Sequence, residues 1–161
     1  MNFNEIGVRG SAFASKSFLC RYRLSSIVLE AGELRENHMQ YAILCYHDEK
    51  VTCAWSKEHD DAVMAKLGAV REKLERQGKL GPVARLLPTT AATTLRKDRE
   101  PPLVIDGPFA ETKEQLLGFY IVDCAGLDDV IEIAKELGEA NPGGAYEIRP
   151  VGTFFPGKVV S

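Results

Sequence analysis

No apolar run in this 161-residue sequence approaches the ~20 residues that a membrane-spanning helix needs. Glycine-rich phosphate loops, a G-x-S-x-G elbow and a dinucleotide fingerprint are also missing, so P-loop, serine-hydrolase and Rossmann-type chemistries are set aside and no cofactor is expected. Charge of one sign is lacking too: 20 Lys and Arg are interleaved with 23 Asp and Glu, giving a net charge of -3. Without a basic stripe, a direct nucleic-acid partner is not expected. Cysteine is sparse, with only Cys20, Cys45, Cys53 and Cys124 and no CxxC pair. A chain that is 45% hydrophobic and 27% charged can bury a core without disulfides, so reduced thiols and a cytoplasmic location are the expectation. Cys45, His47, Cys53 and His59 follow the spacing C-x-H-x5-C-x5-H, which matches no structural zinc pattern, and no metal is expected.

What is present divides into two parts. Residues 1 to 38 are rich in serine, carry Arg9, Lys16, Arg21 and Arg23 against the single acid Glu5 over their first 29 positions, and hold no sustained period. They are expected to be an extension, poorly ordered or the product of a mis-assigned start, because an end not tied into a core seldom orders. The folded domain is expected over residues 39 to 161, opening at Met39 with the strand Gln40 to Tyr46. Val63, Leu67, Val70 and Leu74 recur at helical spacing between about Lys57 and Gln77, with Lys66, Arg71, Lys73, Glu75 and Arg76 assigned to the other faces. Ser56 is the expected N-cap and Gly78 the stop.

Val83 to Leu87 reads as a strand. Thr93 to Arg96 and Leu103 to Ile105 read as a hairpin around Pro101 and Pro102. Phe119 to Cys124 gives the strongest strand pattern, followed by a helix from about Asp128 to Leu137 with Gly138 as terminator, a turn at Asn141-Pro142-Gly143-Gly144, and a last strand from Tyr146 to Val151. The order of strand, helix, strand, inserted hairpin, strand, helix, strand predicts an α+β fold, a ferredoxin-like split βαβ sandwich with helices on one face of an antiparallel sheet. Strands 41 to 46 and 119 to 124 carry apolar side chains on both faces. A second copy covering the free face, with a pocket between the subunits, is the expected solution.

Between the hairpin and the strongest strand lies IDGPFAETKE. Asp106 favours turn entry, Gly107 allows unusual dihedrals, Pro108 fixes its own φ, and Phe109 offers an anchor, so the stretch reads as a rigid connector or as a loop that sets a carboxylate at a pocket mouth. On the second reading Asp106 acts as a general acid or base, with Gly107, Pro108 and Phe109 at the ligand. Thr112 and Gln115 match the T-x-x-Q capping pattern and predict one short helical turn. Arg149 alternates with Tyr146, Ile148 and Pro150 and so faces away from the helices with Glu147. It would hold a ligand carboxylate in the intersubunit cavity or form an intersheet ion pair with an acid of either subunit. Tyr120 is expected to line the same cavity or to pack.

The stretch VIDGPFAETKEQLLGFYIVD, the helix LDDVIEIAKEL after it and the terminal YEIRPV together resemble the YCII-related family, in particular its DGPF-domain branch. LLPTTAATTLR and the strand from Met39 to Tyr46 fit the same pattern, so the resemblance covers about residues 39 to 151. It implies a ferredoxin-like subunit pairing into a dimeric α/β barrel, and a function without a settled reaction. It also implies a link to extracytoplasmic-function sigma factors, which DGPF members often accompany. Better-studied relatives place in the first helix a histidine proposed to work with an aspartate. Its position falls near Leu67, so that pair does not carry over, and His59 lies about two turns too early. Two functions are therefore expected: a homodimer binding a small, anionic organic molecule, with acid-base chemistry at Asp106, or a non-catalytic module that binds a regulatory partner such as a sigma factor.

Overall fold

The computed structural model describes residues 38–157. The extension expected over residues 1 to 38 lies, His38 apart, outside the described residues. The chain runs through β1 (Met39–His47), a single turn α1 (Glu49–Thr52), α2 (Lys57–Arg76) and β2 (Leu80–Arg85). A 3-10 turn at Thr89–Ala91, β3 (Thr93–Arg96), β4 (Leu103–Asp106), β5 (Gln115–Cys124), α3 (Leu127–Ala140) and β6 (Ala145–Pro150) follow. Four strands pair in the order β2-β5-β1-β6, every neighbour antiparallel, while β3 and β4 form a two-stranded ribbon of their own. This is the expected α+β fold. The sheet is open and does not close into a barrel within one chain. No helix among the described residues is long and apolar enough to cross a membrane.

Local chemistry explains the helix boundaries. The Ser56 hydroxyl accepts the His59 N–H at 3.2 Å, Glu58 and Asp60 occupy the first turn of α2, and Lys73 and Arg76 the last, matching the helix dipole. Gly78 leaves the helix at φ 67°, a left-handed value that glycine adopts without strain, and the Lys79 N–H closes onto the Leu74 carbonyl at 3.0 Å. Gly138 does not end α3 as expected. The helix continues to Ala140, and a Cβ at Gly138 would meet the Tyr146 ring at an ordinary contact distance of 3.8 Å. The helical turn expected at Thr112–Gln115 is also absent. Gln115 instead opens β5, its amide oxygen accepting the Glu49 N–H at 3.0 Å and its amide nitrogen donating to the Thr112 carbonyl.

The core lies between the helices and one sheet face. Tyr41, Ile43, Tyr120, Val122 and Cys124 of the strands pack with Leu67 and Leu74 of α2 and Val130, Ile133 and Leu137 of α3. Alternation along β1 and β5 sends Ala42, Leu44, Phe119 and Ile121 to the other face, where they remain half-buried. Leu117 has no partner in the β1–β5 register, which slips between Cys45 and Tyr46. The ribbon is an apolar arm in which Leu95 is 59% and Val104 62% exposed.

Candidate functional site

Hydrogen bonds of the ribbon account for the DGPF loop. Asp106 pairs with Thr93 at the end of β4, and its exposed carboxylate makes no hydrogen bond among the described residues. Gly107 has φ 105°, its N–H donates to the Ala92 carbonyl at 2.8 Å, and its own carbonyl accepts the Thr94 hydroxyl at 2.8 Å. Phe109 is 70% exposed, with the Arg96 guanidinium 4.7 Å from its ring centroid. Pro108 and Phe109 border a shallow groove shared with Tyr46, Leu86, Leu87 and Leu116, and Asp106 lies outside it. Arg149 faces away from the helices, and its Nε reaches the carboxylate of Glu147, two residues before it on the same strand, at 2.5 Å.

Tyr120 corrects the expectation of a single cavity. Pairing opposite Ile43, it points into the helix-side core and is only 8% exposed, on the face opposite Arg149. The residues singled out in the sequence therefore do not converge within one subunit. One of them, Tyr120, lines a hollow of about 170 Å³ between α2 and the sheet.

The local folding of three elements makes that hollow. From α2, Asp60, Val63, Met64, Leu67 and Arg71 recur every three or four residues and so lie along one stripe. Cys45, Tyr120 and Tyr146 project from adjacent strands, and Asn141 closes one end just past α3. Gly118 keeps the floor open: a Cβ there would stand 2.3 Å from the Ala84 carbonyl oxygen, so β2 and β5 approach this closely only without a side chain.

Its electrostatics are one-sided. Among the described residues Arg71 makes no ion pair, and its buried Nε has no hydrogen-bond partner. The guanidinium lies alongside Gly68, 3.7 Å from where a Cβ would begin. Burial raises the pKa of the Tyr120 and Tyr146 hydroxyls, with Arg71 opposing the rise at Tyr120, so both stay protonated as donors at neutral pH. Burial likewise pushes the Cys45 thiol up to about 12. The Asn141 amide lies beside the Tyr146 hydroxyl, and its buried Oδ1 has no partner. Asp60, the one carboxylate on the lining, is held by Arg85 at 2.9 and 3.3 Å, and these hydrogen bonds lower its pKa. The hollow therefore offers donors and a cation to a guest, with no free base beside them.

The chain matches the model of the YCII-related domain over residues 39–154. An uncharacterized protein of Rhizobium meliloti (strain 1021) is 59% identical over 124 residues, which span 76% of this chain and 100% of that protein. The chain belongs to the YCII-related family. Leu67, near which the resemblance would put a helix histidine, is buried and lines the hollow. His59 is exposed in the first turn of α2, its ring packed edge-on against Trp55 at 4.8 Å. In this YCII-related chain the hollow thus carries Arg71 and two tyrosines but no histidine.

Sequence reasoning missed Arg71, Tyr146 and Asn141. The sequence pattern puts Arg71 among the polar faces of α2, yet it stands four residues after Leu67 and belongs to the inward stripe. A lone cation at that spacing was the available signal. Gly118 inside the strongest strand was another, since glycine in a strand marks a bulge or a close backbone approach.

Proposed function

We propose that this YCII-related protein is a homodimer in which each subunit binds a small organic molecule in the hollow between α2 and the sheet. The observation that carries the reading is Arg71, an unpaired cation with a buried, unsatisfied Nε among apolar walls and two tyrosine hydroxyls. A buried donor without a partner costs about 1 to 3 kcal/mol, and a guest that accepts its hydrogen bond recovers that cost. Acid-base chemistry at Asp106 draws no support from its surroundings, because the carboxylate is exposed and lies outside the hollow. Binding is therefore the function put forward.

Pairing through the sheet rests on the half-buried apolar residues Leu44, Phe119 and Ile121 on the face opposite the helices. In a dimeric barrel this face would meet its copy. The exposed ribbon favours a second reading, a module that docks a regulatory partner such as a sigma factor through Leu95 and Val104. A fragment screen by thermal shift, run on the wild type and on Met64→Trp, tests the main reading. Hits that stabilise the wild type and vanish when the larger side chain fills the hollow support it; hits unaffected by the filling contradict it. Native mass spectrometry should show a dimer that Phe119→Glu splits, and a monomer at micromolar concentration would refute the pairing.

A further inference from the structure

Taking the hollow as the ligand site, we propose that its ligand is a monoanion with a single-ring-sized apolar body, an aromatic monocarboxylate being the class that fits. The inference rests on the functional reading above and adds charge, size and shape to it.

Charge comes from the lining. Arg71 and Arg85 contribute two positive charges and Asp60 one negative, leaving a single positive charge at neutral pH. Arg85 and Asp60 satisfy each other through two hydrogen bonds, so the uncompensated charge is the one on Arg71. Two protonated tyrosine hydroxyls stand in the same hollow, and an oxyanion is the guest that accepts from a guanidinium and hydroxyls together. The planar guanidinium suits a carboxylate in particular, since it can donate two parallel hydrogen bonds to its two oxygens.

Size comes from the volume. The hollow measures about 170 Å³, and an apolar protein cavity of about 150 Å³ holds one benzene molecule. Val63, Met64 and Leu67 supply apolar wall, and Trp55 adds an aromatic face on which a ring can pack. A two-carbon acid would leave most of the wall uncovered, and a second fused ring would have to extend past Thr52, Trp55 and Leu117, which the hollow shares with the adjoining space toward Lys57 and Pro88.

The test uses the full chain and defined probes: benzoate, benzamide, acetate and 2-naphthoate, titrated by calorimetry into the wild type, Arg71→Met and Arg71→Lys. Benzoate is expected to bind the wild type at least tenfold more tightly than each of the other three. Arg71→Met should remove the preference for benzoate over benzamide, and Arg71→Lys should restore part of it. Circular dichroism confirms that both variants fold. Equal affinity for benzoate and benzamide would overturn the charge assignment, and equal affinity for acetate or 2-naphthoate the size assignment. In each of these cases the hollow remains a binding site. If no fragment of any charge binds the wild type and is lost when Met64→Trp fills the hollow, the functional reading itself falls.

Discussion

Replacing Arg71 by methionine should make the ligand-free protein more stable, contrary to the usual outcome of changing a partly buried residue. Among the described residues the guanidinium has no acid partner, and its buried Nε has no acceptor. An unsatisfied buried donor costs about 1 to 3 kcal/mol, and the charge raises that cost wherever water is excluded. Against this, the side chain is half-buried, so water at the mouth of the hollow recovers part of the hydration. Arginine and methionine have nearly equal helix propensity, so the backbone of α2 contributes almost nothing to the difference. Methionine also keeps an unbranched stem against Leu67 and Tyr120, which preserves most of the packing. The net gain is about 1 kcal/mol, which for a domain of this size raises Tm by about 3 to 5 °C. Thermal unfolding followed by circular dichroism, without added ligand, measures it. A fall in Tm of similar size would refute the reasoning, because it would mean that Arg71 stabilises the fold rather than waiting for a guest.

Gly118→Val should lower stability by about 3 kcal/mol, as the Cβ alone would stand 2.3 Å from the Ala84 carbonyl oxygen and force β2 away from β5. Urea titration reads the loss, and a change under 1 kcal/mol would contradict the close approach. Leu137→Ala empties a fully buried site under α3 and should cost about 3 kcal/mol in the same assay. Hydrogen bonds from Lys79 and, more weakly, the Ala125 N–H lower the Asp129 pKa below its usual 3.8. Its contribution is therefore present above pH 4 and lost as pH falls through the depressed value. The stability difference between wild type and Asp129→Asn should shrink between pH 5 and pH 2, and a difference that grows would reverse the sign. Thiol labelling resolved by peptide mass spectrometry should modify exposed Cys53 well before Cys45 and Cys124. Both of the latter are held protonated, at about 12 and about 11.

Much of the fold was legible because its elements announce themselves locally. Ser56 and Gly78 mark the ends of α2, the apolar period of α3 is unbroken, and β1 and β5 carry dense β-branched and aromatic content. Boundaries failed where tertiary contacts outweighed local preference. Gly138 reads as a helix stop but lies within α3, and Thr112 with Gln115 reads as a capping box, whereas the Gln115 amide oxygen accepts the Glu49 N–H across the fold.

The site was harder to read because side-chain direction decides it. Tyr120 and Arg149 both lie on strands and were assigned to one cavity, yet the pairings of Tyr120 with Ile43 and of Arg149 with Ala42 set them on opposite faces of the sheet. The DGPF stretch drew attention by its unusual composition, which the turn and ribbon bonds now explain without chemistry. Arg71 drew none, since one arginine in a helix with several basic residues looks like surface until its neighbours at three and four positions are known to face inward.

Methionine supplies the most direct test of the binding hollow. The sequence has only Met1, Met39 and Met64, of which Met64 lines the hollow while Met39 stands at the far end of β1 from Cys45. In protein labelled with ¹³C at the methionine methyls, titration with a mixture of single-ring acids, amides and amines should shift the Met64 signal saturably and leave Met39 in place. A fragment that stabilises the protein while leaving Met64 unmoved would contradict the account.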